Sequence, residues 1–156
     1  MRWTARREAY SRGGGPGAEC DKLAAMTFDE VRACLTRDGW PADRVSDVTL
    51  RSRFRCADRI FPVYVHEEPG YVTFAVIPFA RLPDDDAGDH LADRLLELNR
   101  EMNLAKFSVD EDGDVVLSVE YPSGDLDPSE VRDAIDVLSF YAGKYHAEVS
   151  ALADEL

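Results

Sequence analysis

Cysteine is scarce in this chain. Its 156 residues hold three, Cys20, Cys34 and Cys56, with no CxxC spacing and no clustered histidine. An odd, scattered set of thiols indicates neither a disulfide framework nor a zinc site, and these are read as reduced. Long apolar runs are missing as well. No stretch approaches the roughly 18 residues a membrane helix needs, and no apolar segment near the N-terminus has the form of a secretory leader. The expectation is a cytoplasmic protein that does not engage a membrane.

Positive charge is deficient in one half of the chain. Lys and Arg total 18 against 31 Asp and Glu, for a net charge of -13. Residues 1–25 carry a net +2, residues 26–81 are neutral, and residues 82–156 hold five basic against 20 acidic side chains. Nucleic-acid binding rests on Lys and Arg displacing counterions from phosphates, so nucleic acid is excluded as an expected ligand, and anionic membranes repel the same surface. Solubility accounts for the acidic excess more simply than a dedicated acidic docking face does.

Catalytic patterns are also lacking. There is no GxSxG elbow and no HExxH, and Gly13-Gly14-Gly15 has neither a preceding strand nor a following Lys-Ser/Thr. His66 beside Glu67, His90 in an acidic helix start and His146 beside Tyr145 are the candidate bases, and none has a convincing companion. Ordinary structural roles are assigned to all three. Asp84, Asp85 and Asp86 cannot all face one ion, and they suit the positive end of a helix dipole instead. The loop Asp110-Glu111-Asp112-Gly113-Asp114 departs from calcium-loop spacing, because its glycine comes at the fourth position and Tyr121 stands where a bidentate glutamate is required. No cofactor and no metal are expected.

What the sequence does contain is alternating periodicity. Residues 1–25, with Gly13-Gly14-Gly15-Pro16-Gly17 at their centre, read as a flexible tail, and residues 26–156 as one α+β domain. Arg6-Arg7 lacks the apolar segment a twin-arginine signal requires, and Met26 is an alternative start. Thr27-Phe28-Asp29-Glu30 has the form of a capping box, opening a helix with Phe28, Val31 and Leu35 on one face and Trp40 as a core anchor at its exit. A three-stranded meander follows, over 47–56, 60–67 and 71–79. Pro62 and Pro78 must lie at a strand end, an edge or a bulge, since neither can donate to a ladder. A second helix carries Leu91, Leu95, Leu98 and Met102. A hairpin over 104–110 and 115–121 comes next, and Asp127-Pro128-Ser129-Glu130 opens a long last helix. On that helix Val131, Ile135, Leu138, Ala142, Tyr145 and Val149 keep the helical period, and Phe140 and Tyr141 widen the arc as candidate contacts with a second copy or a partner.

In the first strand, Val48, Leu50, Ser52, Phe54 and Cys56 alternate with Thr49, Arg51, Arg53 and Arg55. Three guanidinium groups about 7 Å apart thus line its open side, placed to pair with carboxylates of a second copy or of an acidic peptide. The competing reading lays these arginines over the sheet, paired with acidic residues of the same domain.

The segment LLELNREMNLAKFSVDEDGDVVLSVEYP, followed by a long helix opening at DPSEV, resembles the YbjN-like proteins, which share the fold of type III secretion chaperones. The likeness spans about residues 27–152. It implies a three-helix, five-stranded α+β fold and a non-enzymatic sensory-transduction regulator or chaperone-like binder. The expected function is therefore a protein-binding module acting through sheet and helix surfaces on a protein or peptide partner, as a homodimer. A small-molecule-sensing regulator and a hydrolase are the competing classes.

Overall fold

A computed structural model of the chain describes residues 25–84 and 86–154. The Gly-rich segment, Cys20 and Asp85 lie outside the described residues. The first helix, α1 (Phe28–Arg37), starts where the capping box places it. Thr27 Oγ1 accepts from the Glu30 amide at 3.3 Å, and the Glu30 carboxylate accepts from the Thr27 amide at 2.7 Å. It stops at Gly39, whose φ of 93° lets the amides of Gly39 and Trp40 turn back onto the carbonyls of Thr36 and Leu35. Trp40 lies half-buried against the core at that exit.

The strands are β1 (Asp43–Ser46), β2 (Thr49–Cys56), β3 (Arg59–Glu68), β4 (Tyr71–Arg81), β5 (Ala105–Val109) and β6 (Asp114–Pro122), and the remaining helices are α2 (Asp86–Glu101) and α3 (Pro128–Asp154). They form one antiparallel sheet in the order β1-β2-β3-β4-β6-β5. The sheet therefore has six strands, one more than expected. The added strand, β1, is exposed at all four positions and carries no apolar period, and its pairing with β2 alone defines it.

Pro62 and Pro78 sit where the sheet splits. Pairing between β3 and β4 ends at Val63 and Val76, one residue short of Pro62, and the β4–β6 register shifts between Val76 and Ala80, around Pro78. Both prolines thus fall where a donor is not needed. On the core side of the split the rings of Phe61 and Phe79 stack at 6.1 Å and His146 of α3 packs edge-on against both.

All three helices lie on one face. α3 crosses β2, β4, β5 and β6, with α1 against one flank and α2 against the other, and α2 also touches β5. Its N-terminus is capped as the sequence indicates: Asp127 Oδ1 accepts from the amides of Ser129 and Glu130, and Glu130 returns to the Asp127 amide. Val131, Ile135, Leu138, Ala142, Tyr145 and Val149 are buried against Leu50, Phe74, Val76 and Leu117 of the sheet in one continuous core. The acidic turn between β5 and β6 is held by Asp110, whose Oδ1 accepts from the amides of Asp112 and Asp114.

Asn99 closes the β5 edge. Its side-chain amide donates to the Phe107 carbonyl at 3.0 Å and accepts from the Phe107 amide at 2.6 Å, mimicking a neighbouring strand. Replacing Asn99 with Ala should cost about 2 kcal/mol, since two hydrogen bonds are lost and the Phe107 groups are left to solvent. Urea unfolding measures the loss, and hydrogen exchange at the Phe107 amide should accelerate beyond what the global destabilisation explains.

Candidate protein-binding surface

The face of the sheet away from the helices is built by the two-residue period of its strands. In an antiparallel sheet paired residues share a face. One row therefore runs across all six strands: Asp43, Arg51, Tyr64, Ala75, Ser118 and Lys106. The middle of the row is low. Ala75 and Ser118 are buried beneath their longer neighbours, and Ala75 forms a small apolar cluster with Ile77 and Val116 under Tyr64, separate from the main core. Thr73, in the adjoining row beside His66 and Glu120, is 2% exposed and its hydroxyl has no hydrogen-bond partner.

Arg51, Arg53 and Arg55 are exposed on this face, in strict alternation with the covered Leu50, Ser52 and Phe54. No side-chain hydrogen bond or ion pair holds any of the three guanidinium groups to another described residue. The acidic half of the chain pairs elsewhere: Glu97 and Glu148 with Arg94, Asp114 with Arg81, and Glu120 with Lys106. Asp38, from the neutral middle of the chain, bridges Arg37 and Arg132. Beside Arg51 and Arg53 lies an open trough of about 290 Å³, whose other walls are Pro41, Asp43, Ser52, Ile60 and Pro62. Ile60 is 51% exposed there, although its neighbour Phe61 is 5% exposed on the core side. The alternation in the sequence marks the arginines. The trough depends on the β2–β3 register, which sets Arg53 opposite Pro62 and Arg55 opposite Ile60, and alternation within one strand does not reveal it.

The two aromatic candidates on α3 separate. Phe140 is 64% exposed on the outward side of the helix. Tyr141 is 8% exposed: its ring stacks on Tyr145 at 5.8 Å, and its hydroxyl accepts from the Asn103 amide at 2.9 Å, tying α3 to the end of α2. The structure thus corrects the assignment of Tyr141 as an interface residue, because its surface is spent inside the monomer.

The histidines are dispersed. His66 is on the open face, where its Nδ1 lies 2.9 Å from Thr49 Oγ1, His90 is exposed near the start of α2, and His146 is on the helix side of the sheet. Among the described residues no group of three or more His, Cys, Asp or Glu is placed to hold a metal ion. Burial pushes the Cys34 thiol up from its ordinary value, the opposite of what a nucleophilic thiolate requires. Arg37 and Arg132 beside Asp38 hold its carboxyl below the usual carboxylate range. This cluster joins α1 to α3, so its role is in assembly.

The sequence model of the YbjN family, described as "Putative bacterial sensory transduction regulator", matches residues 27–145. The chain belongs to the YbjN family. Among solved structures, YbjN of E. coli is 15% identical, with a TM-score of 0.57 over 79% of this chain and 93% of the other. This YbjN-family chain is similar too to a chain of the heterodimeric ExoU-SpcU complex from the type III secretion system of Pseudomonas aeruginosa, at 21% identity, with a TM-score of 0.56 over 80% of this chain and 98% of that one. The Yersinia pestis type III secretion chaperone SycH, solved with a fragment of YscM2, is 15% identical, with a TM-score of 0.51 over 76% of this chain and 98% of that one. At these identities the likeness is one of fold. Comparison with curated proteins gives no match.

His146 links the core of this YbjN-family domain to pH. Burial against Phe61 and Phe79, and then the nearby Arg59 guanidinium, 3.3 Å from Nε2, lower its pKa below the ordinary histidine value of about 6.5. The folded state therefore favours the neutral ring. Its contribution is complete above about pH 6.5, where the unfolded chain is also deprotonated, and is lost as pH falls toward the folded pKa. An NMR titration of His146 should give a midpoint below 6.5. His146→Gln should flatten the loss of thermal stability below that pH.

Proposed function

We propose that this chain is a non-enzymatic protein-binding module, chaperone-like or regulatory, that receives a segment of a partner on the helix-free face of its sheet. The observation that carries this reading is the asymmetry of the sheet: three helices cover one face, and the arginines and Ile60 of the other stand exposed. An uncovered face holding unpaired guanidinium groups beside apolar side chains is the composition of an interface. The edges are less suited, because β1 is four residues long with an irregular register and Asn99 occupies the middle of β5. The relatives of similar fold solved with protein partners, ExoU-SpcU and SycH with YscM2, add weight to a binding role. The same reading places the protein in the cytoplasm. It also assigns a homodimer contact to Phe140, whose exposed ring is out of place on a solvated helix side.

A photo-crosslinking side chain at Ile60 should give one recurrent protein adduct in native cells, and the same group at the exposed Leu96 of α2 should give little. Adducts at Leu96 alone, or at neither position, would remove the open face as the binding surface. Phe140→Ser should weaken self-association at least about tenfold by sedimentation. An unchanged mass would place the dimer contact elsewhere.

A further inference from the structure

We infer that the partner segment is extended and acidic, with carboxylates two residues apart over Arg53 and Arg55 and an apolar side chain on the same side, beside Arg51, entering the trough of Pro41, Ile60 and Pro62. This rests on the module reading and specifies its chemistry.

Spacing is the first argument. Residues two apart on an extended segment recur at about 7 Å, the repeat that β2 imposes on its guanidinium groups, so a segment lying along β2 meets each arginine in register. A helical segment does not, since its neighbours on one face come three and four residues apart. Charge is the second. The three guanidinium groups have no carboxylate partner among the described residues, although 20 acidic side chains follow residue 82. Charge-assisted pairing with such groups is stronger than neutral hydrogen bonding. Asp43 stands on the trough wall beside Arg51, and it disfavours an anion at the β1 end. The apolar side chain of the partner therefore belongs in the trough and its carboxylates over Arg53 and Arg55.

Two other occupants fit less well. This chain's own alternating acids, Asp110, Asp112 and Asp114, are folded into the β5–β6 turn by hydrogen bonds to Asp110 Oδ1, so a second copy cannot offer them as an extended segment. Single-stranded nucleic acid also presents repeated anions, but the net charge of -13 opposes a phosphate backbone over the rest of the surface.

The test uses the purified full chain and fluorescence anisotropy at low salt. The probes are a labelled peptide with glutamate, glutamate and leucine at alternate positions separated by serine, the same peptide with glutamines, and an oligothymidylate. The glutamate peptide should bind at least about tenfold more tightly than the glutamine peptide, and its affinity should fall as salt rises. Replacing Arg51, Arg53 and Arg55 with Ser should weaken it at least about tenfold with an unchanged thermal midpoint. Asp43→Asn should strengthen binding, a gain that misfolding cannot mimic. Equal binding of the two peptides, an unaffected triple variant, or binding of the oligothymidylate in place of the glutamate peptide would each overturn the proposal. If adducts at Ile60 persist after such a failure, the acidic chemistry is wrong and the module stands; if they are also missing, the surface itself is wrong.

Discussion

The burial of one helix against one face of the sheet is the constraint from which the rest of this structure follows. Val131, Ile135, Leu138, Ala142, Tyr145 and Val149 of α3 are buried with the inward residues of β2, β3, β4, β5 and β6, and a Leu-to-Ala change in such a core costs about 2–5 kcal/mol. The other helices are both fastened to α3, and α2 is tied to β5 as well. On the α1 side, Asp38 reaches Arg132 at 3.2 Å and the Cys34 thiol meets the Pro128 carbonyl. On the α2 side, Arg94 pairs with Glu148, and Tyr141 and Tyr145 hydrogen-bond to Asn103 and Glu101. A single helix thus organises the whole layer.

Because that layer satisfies the sheet's apolar demand, the second face is free to be something else. Its centre is made of small residues, Thr73, Ala75 and Ser118, sheltered by longer neighbours, so it remains stable without a covering layer. Its margin holds the arginine row and the Pro41, Ile60 and Pro62 trough. The blunted edges carry the same logic. With Asn99 on Phe107 and a short, irregular β1, uncontrolled strand addition is suppressed at both edges.

Much of this was legible in the sequence where local chemistry decides structure. The capping residues Thr27 and Glu30, and Asp127 and Glu130, mark both helix starts, and the alternation from Leu50 to Phe54 marks β2 with its arginines outward. Pro62 and Pro78 announced irregular pairing without saying that one split accounts for both. The misses share a cause: each depends on a pairing partner outside the element and not on a pattern within it. β1 has no apolar pattern of its own and exists through its register with β2. Tyr141 lies at the margin of the α3 apolar arc, and whether it faces solvent or α2 is decided by Asn103, 38 residues away. Asn99 has no local signal of its own, since its pairing with Phe107 requires β5 to be in place.

One face of the sheet is closed by the helices and the other lies open, and adjacent residues of β3 distinguish the two. Hydroxyl-radical footprinting of the free full-length chain should modify Ile60 readily and leave Phe61 protected, despite the greater size of the phenylalanine ring. Equal protection of both would mean that the face is already covered and is not available to a partner.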